Sequence, residues 1–532
     1  MGSWFEDCWN NRIKSSWKLA FFSAFGIGVL VHLFKLVNVL PFWDSLMNHY
    51  SSQDMIASGR WLLSTACMLG SKFDLPWING ILSLLFIGLT AAVISELFRM
   101  ESPTLIILCS GLLVTFPGVT TTLEYSYTAD GYMLAMLMSA FAAYLTRMEN
   151  MRKGCWKRLL LGGALICCSC GIYQAYVSFA FAFAVGEAIL ELLEGKCSAK
   201  RILCWIGIQL LVFGGALALY YGIWKGLMAL RGMEATTYQG ISNIGTNGIR
   251  HIAYAVINVL IDTAAYVLRW NIFEHGLSLY AILNVLVLLV FGAGVVCALS
   301  SGKTYKAPSV VCLLIVLVLS LPFGCFLWHF ASPGVHYHPV MTQSLCILPI
   351  LTAVLFDRFC KGRKADAVAI LLAMVICSNS VSANIFYDQM HLRYERDYAE
   401  AVELNTRIHL LDDGNVRYIA FCGDPVVSTP DMDALRAQGG CWLPQVDLTS
   451  YHFLLLYTDF ELQYYRNTGE AYPVVENYLE YPVPRDYEFR FPLLPAEEME
   501  AIKRSDEVMN MPLWPSEGSV LRIEDVIVVK FS

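Results

Sequence analysis

The sequence predicts a polytopic α-helical membrane protein with about 11 transmembrane helices and a C-terminal α/β domain outside the cytoplasm. Residues of the AVILMFWYC set make up 56% of the 532 residues, and only 15% are charged, against about 25% in soluble proteins. The charge is also divided, because the chain from Tyr387 onward has 12 basic and 26 acidic residues, whereas the rest has 25 and 18. We therefore predict a multispanning domain over 1–386 and an acidic domain over 387–532, and no basic stripe indicates nucleic-acid binding.

The transmembrane helices are predicted from apolar stretches of about 20 residues, the length that crosses a hydrocarbon core about 30 Å thick. The fifth and sixth are separated only by the turn Gly171-Ile172-Tyr173-Gln174, so we predict a tight hairpin of two short helices there. The eleven predicted spans are 18–40, 76–98, 103–119, 129–147, 157–172, 174–194, 201–222, 275–299, 308–329, 339–356 and 366–386.

The orientation is predicted from the positions of the basic residues. With eleven spans, every basic cluster falls on the same side, and the positive-inside rule places this side and the N-terminus in the cytoplasm. No cleavable signal is expected, since the first span lacks a small-residue cleavage site. The larger loops, 41–75, 117–128, 223–274 and 330–338, then lie outside, where we expect the chemistry. The basic residues are Arg12, Lys14, Lys18, Arg147, Arg152, Lys153, Lys157, Arg158, Lys196, Lys200, Arg201, Lys303, Lys306, Arg358, Lys361, Arg363 and Lys364.

The first outer loop, residues 41–75, combines acidic and basic candidates. Asp44 follows the first span, and Asp54 and His49 are secondary candidates. Ser and Asp before a run of apolar residues at helical spacing predict an interfacial helix from about residue 51 to 69. Arg60 would lie on it at headgroup depth, where it could bind a phosphate or simply anchor the helix. The alternative for Asp54 is a helix cap.

The second outer loop and the hairpin turn supply further polar groups. Asp130 begins the fourth span, and a helix N-terminus attracts an anion such as a lipid phosphate. Glu124 adds a carboxylate, and Tyr127, Tyr173 and Gln174 add hydroxyl and amide groups. The alternatives are a helix N-terminal charge for Asp130 and an interfacial aromatic belt for the tyrosines.

Histidines cluster in the outer loop around 330–338. His329, His336 and His338 could bind phosphate or sugar through hydrogen bonds. A metal is the less favoured alternative, because no third ligand recurs at a fixed spacing. We predict no metal site.

The acidic C-terminal segment has the pattern of a separate α/β domain. VRYIAFCGD, HFLLLYTDF and DVIVVKF predict buried strands, and 397–411 and 431–438 predict helices. No Walker, GxSxG or dinucleotide motif is present. Cys422 and Cys441 could form a disulfide if this domain lies outside.

Four segments of the chain resemble a known family. YSSQDMIASGRWLL, FDLPWINGILSLL, YSYTADGYMLAMLM and GIYQAYVSFAFA are similar to the Gtr-type serotype-converting glucosyltransferases of bacterial O-antigen. The resemblance covers about 20–385 and implies a GT-C-like fold in the bacterial cytoplasmic (inner) membrane. It implies a polyprenyl-phosphate hexose donor, here glucose, no cofactor, and transfer to a cell-surface polysaccharide or other glycan on the outer side. Partner proteins that synthesise and flip the donor are also implied.

The resemblance also implies residue roles. In that class an acidic residue of the first outer loop acts as catalytic base, which falls on Asp44. Relatives have adjacent acidic residues where this chain has Trp43-Asp44-Ser45, so a share for Asp54 or Asp130 stays open. Single displacement would invert the anomeric centre, and a phosphate leaving group needs no general acid.

Two other functions compete with the transferase. A lipid-linked sugar flippase or transporter should place polar residues at the bilayer midplane and often repeats its architecture. The predicted polar residues lie instead at outer helix ends. A plain membrane anchor would not need Asp44, Asp130 and a histidine cluster on one side.

Overall fold

The structure, a computed structural model, describes most of the chain outside one long stretch near the C-terminus. The described residues are 6–38, 40, 53–68, 70, 75–150, 155–243, 248–268, 279–301, 307–332, 335, 337–360, 362–423 and 494–531. They divide into two compact units. The first includes Met1–Val39 and Ser51–Ile385, and the second includes Phe386–Gln438 and Gln445–Ser532.

The first unit is built from helices, most of them apolar. They are α1 (Ser15–Val37), α2 (Pro76–Leu97), α3 (Pro103–Val114), α4 (Pro117–Glu124), α5 (Ala129–Leu145), α6 (Trp156–Ile172), α7 (Tyr176–Leu193), α8 (Ala199–Arg231), α9 (Ile249–Leu268), α10 (Leu279–Ser301), α11 (Pro308–Cys325), α12 (Ile347–Phe359) and α13 (Arg363–Leu411), of which the part up to Ile385 belongs to this unit.

Among the described residues, eight helices are long and apolar enough to cross a membrane. The count is nine if α3 and α4, bent by 42°, form one span. The chain is therefore a polytopic membrane protein, as predicted. Seven of the eight helices, α1, α2, α7, α8, α10, α11 and α13, overlap predicted spans. Predicted spans 129–147, 157–172 and 339–356 correspond to the shorter helices α5, α6 and α12, of 17, 17 and 13 residues.

Helix α9 lies in a segment for which the sequence predicts an outer loop. The structure differs from that prediction, since α9 is a further candidate membrane span. Its outward face is apolar, with Ile252, Ile257 and Leu260 exposed, whereas Val259 is fully buried. Polar residues on the other face, including Asp262, lower its mean hydropathy, which is why a search for uniformly apolar stretches misses it. A span at α9 adds one crossing to the count from which the orientation is predicted.

Ion pairs join the helix ends at one end of the first unit. Lys14, which precedes α1, contacts Glu96 of α2 at 2.8 Å. Arg147, which follows α5, donates to the Glu96 carbonyl at 3.0 Å. Glu194, which follows α7, pairs with Lys196 and with Arg358 of α12. Basic residues from four of the predicted cytoplasmic segments therefore lie at the same end of the bundle.

The second unit contains a small mixed sheet. Its strands are β1 (Tyr418–Cys422), β2 (Val520–Ile523) and β3 (Val526–Lys530), in the order β1-β3-β2. β3 pairs parallel to β1 and antiparallel to β2. Short helices α14 (Ala496–Lys503) and α15 (Asp506–Asn510) precede β2. Strands β1 and β3 fall in segments for which the sequence predicts strands.

Both faces of this sheet are covered by apolar side chains. One face buries Ile419 and Ile527 with Leu404 of α13, and the other buries Ala420 and Val528 with neighbouring residues. Successive residues of a strand point to opposite faces of the sheet. A strand buried on both faces is therefore apolar along its length, as β1 and β3 are. The predicted strand at 452–460, the predicted helix at 431–438 and Cys441 lie outside the described residues, and so does the disulfide prediction for Cys422.

Close packing of α1 against α2 generates the first prediction. A Cβ atom at Gly88 of α2 would lie 2.8 Å from the Phe21 ring and 3.2 Å from the Phe21 carbonyl oxygen. We expect Gly88→Ala to separate the two helices and to destabilise the protein by about 1–3 kcal/mol, the usual cost of overpacking. The measurement is the melting temperature of the purified protein in detergent.

Gly26→Ala is the matched control, because Gly26 lies in the neighbouring helix and has open space around its Cβ position. Its melting temperature should equal that of the wild type. Equal melting temperatures for the two variants would contradict the packing of α1 on α2.

Candidate active site

Residues 53–68, called here the first-loop segment, form an irregular buried turn. The structure differs from the continuous interfacial helix predicted there. Met55 and Arg60 form an antiparallel bridge around a 3₁₀ turn, Ile56–Ser58, and a one-turn helix, Leu63–Ala66, follows. Gly59 breaks the helix with φ of 81°, a conformation that glycine adopts without strain. Ile56 and Leu63 are buried, so the segment packs into the protein.

The backbone of the first-loop segment is hydrogen-bonded by three side chains and one backbone carbonyl from two other places in the unit. Buried backbone polar groups need partners, and irregular backbone is tolerated at membrane depth only inside protein. Helix α8 and the α6–α7 turn supply these partners. The bonds are Trp224 Nε1 to Ile56 O at 2.8 Å, Gln174 Nε2 to Ser58 O at 2.7 Å, Tyr220 Oη to Gly59 O at 3.1 Å, and Leu62 N to Gly171 O at 2.7 Å.

Arg60 projects from this segment onto two stacked tyrosines. Its Nη1 donates to the Tyr132 hydroxyl at 3.1 Å, and its Cζ lies 4.9 Å from the centre of the Tyr173 ring. The Tyr132 and Tyr173 rings are 4.3 Å apart and nearly parallel, at 11°. The guanidinium is half-buried. A partly desolvated guanidinium with fixed orientation is suited to binding phosphate oxygens.

Asp130 is a buried carboxylate in the first turn of α5. It is 2% exposed, and its Oδ2 would lie 2.6 Å from a Cβ at Gly70, just beyond the first-loop segment. Oδ1 has no hydrogen-bond partner within the part of the chain that the structure describes. An incompletely bonded buried carboxylate is costly, so Asp130 is a candidate for contact with substrate or for proton transfer.

The other predicted site residues lie in different environments, some at the surface and some buried. Asp54 pairs with Arg231 at the end of α8 on the surface, which gives it a structural role. Glu124 ends α4 and is buried, as is Tyr127, whereas His338 is exposed. The predicted candidates Asp44, His49 and His336 lie outside the described residues.

The sequence missed one ionisable partner, Asp262 of α9. Its Oδ2 lies 2.6 Å from Nε2 of His329, which is 4% exposed. The neighbouring Trp328 donates from Nε1 to the Gln174 carbonyl at 2.8 Å, so the pair borders the partners of the first-loop segment. An acidic residue within an apolar amphipathic helix was the signal that could have identified it. Tyr132 and Tyr220 were also missed as partners.

Within the described ranges, no group of three or more His, Cys, Asp or Glu side chains could hold a metal ion. The arrangement instead offers a cation over aromatic rings, a buried carboxylate and an Asp–His pair. Such a set can bind an anionic group and accept or donate protons beside it.

Comparison with known proteins covers most of this unit. Residues 33–350, more than half of the chain, match the family model described as Glucosyl transferase GtrII. This match confirms the resemblance predicted from the four sequence segments. The first-loop segment, Asp130, Tyr173, Asp262 and His329 all lie within it. Searches of curated proteins and of solved structures found no match.

The left-handed turn at Gly59 generates the second prediction. A Cβ there would lie 2.3 Å from the Tyr220 hydroxyl and 2.7 Å from Gln174 Nε2. We expect Gly59→Ala to break the hydrogen bonds that Tyr220 and Gln174 donate to the segment and to displace Arg60. Because two net hydrogen bonds of about 1 kcal/mol each are lost, glycosyl transfer should fall at least about tenfold. Transfer activity and melting temperature are measured together.

Gly232→Ala controls for backbone strain, because Gly232 has φ of 61° with open space around its Cβ position. It should lose some stability and little activity. If the two variants lose activity equally, the bonds to Tyr220 and Gln174 do not position the site.

Proposed function

Because the chain belongs to the GtrII glucosyltransferase family, we propose that it transfers a hexose from a polyprenyl-phosphate donor to a cell-surface polysaccharide or other glycan. Glucose is the proposed sugar, and the outer side of the bacterial cytoplasmic membrane is the proposed location. The observation that carries the proposal is the half-buried Arg60 residue, whose guanidinium lies over the Tyr173 ring and donates to the hydroxyl of Tyr132, the ring stacked on Tyr173. That cation is suited to the phosphate of a lipid-linked donor.

The orientation proposed for the site follows from the ion pairs at one end of the bundle. That end gathers Lys14, Arg147, Lys196 and Arg358, and the positive-inside rule assigns it to the cytoplasm. Helices α1 and α8 start beside this end, so the residues that follow them emerge on the outer side. The first-loop segment, which follows α1, and the C-terminal end of α8 therefore both lie on the outer side. By the same argument α13, which starts just after Arg358, leads residues 387–532 to the outer side. The proposal keeps the predicted count of eleven spans, an odd number that puts the two ends of the chain on opposite sides of the membrane, so in it α9 does not add a full crossing.

The proposed chemistry is a single displacement at the anomeric carbon. The acceptor oxygen forms a bond to this carbon, its proton passes to a carboxylate, and the bond to the donor phosphate oxygen breaks with inversion. The family resemblance assigns the base to Asp44. Asp130 is the second candidate, because its buried carboxylate lies beside the first-loop segment. Arg60 offsets the charge on the leaving polyprenyl phosphate, with His336, His338, Tyr173 and Gln174 as further candidates for the donor.

The proposal is tested with purified protein, radiolabelled polyprenyl-phosphate glucose and surface polysaccharide extracted from the host cells. We expect label in the polysaccharide and release of polyprenyl phosphate. Asp44→Asn should lower kcat by about 10²-fold or more, the usual contribution of a general base, while expression and melting temperature stay unchanged. The corresponding mannose and galactose donors establish the sugar.

Asp54→Asn is the control, because its exposed pair with Arg231 contributes little. It should keep nearly full activity. Full activity in Asp44→Asn would remove the proposed base. Donor that crosses the bilayer without being consumed would replace the transferase by a lipid-linked sugar transporter.

A further inference from the structure

Asp262 is the one acidic residue in the sequence of α9, a helix apolar enough to cross a membrane. Ionisable residues in such helices are costly and usually serve function, with a partner that compensates the charge. The partner here is His329, with Nε2 2.6 Å from Asp262 Oδ2. An imidazolium and a carboxylate together are neutral, which makes the pair tolerable in a poorly hydrated site.

The surroundings of His329 fix the direction of its ring. The ring contacts Tyr337, with 4.8 Å between centroids, and the Tyr337 hydroxyl accepts from Trp328 N at 2.8 Å. Since Asp262 occupies Nε2, only Nδ1 remains to contact another group.

Hydrogen bonds connect this pair to the candidate active site. Trp328, the residue before His329, donates to the carbonyl of Gln174. Gln174 in turn donates to Ser58 O in the first-loop segment, and Tyr173 beside it carries Arg60 on its ring. His329 therefore lies next to the residues that position Arg60.

We propose that His329, as an imidazolium balanced by Asp262, donates a hydrogen bond from Nδ1–H to a phosphate oxygen of the lipid-linked donor. This deepens the proposed function and rests on it. As the bond between anomeric carbon and phosphate oxygen breaks, its electron pair stays on that oxygen. His329 and Arg60 offset the added negative charge. His329 keeps its proton, because the proton of the acceptor passes to the catalytic carboxylate.

The test compares His329→Gln and Asp262→Asn in the full-length protein. We expect each to raise the apparent KM for polyprenyl-phosphate glucose and the inhibition constant of polyprenyl phosphate about tenfold, because a charge-assisted hydrogen bond is lost. The KM for the polysaccharide acceptor should stay unchanged. Asp262→Asn preserves the shape of the side chain, so it serves where His329→Gln does not fold.

A purely structural role is separated by exchanging the partners. The double variant with Asp262→His and His329→Asp keeps an ion pair between α9 and the segment after α11, but it moves the imidazole. It should restore the melting temperature and leave donor KM raised. His391→Gln, in the His391–Glu395 pair on α13, is the control and should change neither quantity.

Three results would overturn the inference: unchanged donor KM in His329→Gln, recovery of donor KM in the exchanged variant, or a rise confined to acceptor KM. The last would make His329 a group that acts on the acceptor. The proposed function fails separately, when the wild-type protein does not consume the lipid-linked donor.

Discussion

The candidate site depends on one constraint, that the polar backbone of a buried irregular segment must be hydrogen-bonded by protein. The first-loop segment leaves the helical ladder at Gly59, and side chains from α8 and the α6–α7 turn take over its carbonyls. These bonds fix the backbone that carries Arg60. The same turn places Tyr173 beneath the guanidinium. The hydrogen bonds that fold the segment therefore also position the Arg60 guanidinium.

The opposite end of the bundle holds the helices through charge. Arg99, between α2 and α3, pairs with Glu191 of α7, while Arg147 and Arg358 bind carbonyls at the end of α2 and beside it. Ion pairs that are partly shielded from water and bonded to several partners are firmer than isolated surface pairs. The site end is held differently, by aromatic donors and tyrosine stacking.

The hydropathy of the sequence predicted most of the helices, and the positions of the basic residues predicted that the basic segments lie at one end of the bundle. Both signals are local and are averaged over many residues. The first-loop helix was mispredicted, since apolar residues at helical spacing outweighed the single Gly59 in the pattern. Helix α9 was missed because its polar face, with Asp262, diluted the apolar signal. The Asp262–His329 and Arg60–Tyr132 contacts join residues far apart in sequence, so no local pattern could pair them. Asp44 rests on resemblance alone.

The central claim, that Arg60 binds the phosphate of the lipid-linked donor, is tested most directly by steady-state kinetics of Arg60→Ala, with Arg231→Ala as control at the same end of the bundle. The account predicts at least about a tenfold rise in apparent KM for polyprenyl-phosphate glucose, the effect of losing a hydrogen bond to a charged group, with partial recovery in Arg60→Lys. Acceptor KM and the control should stay at wild-type values. An unchanged donor KM, or an equal rise in acceptor KM, would contradict it.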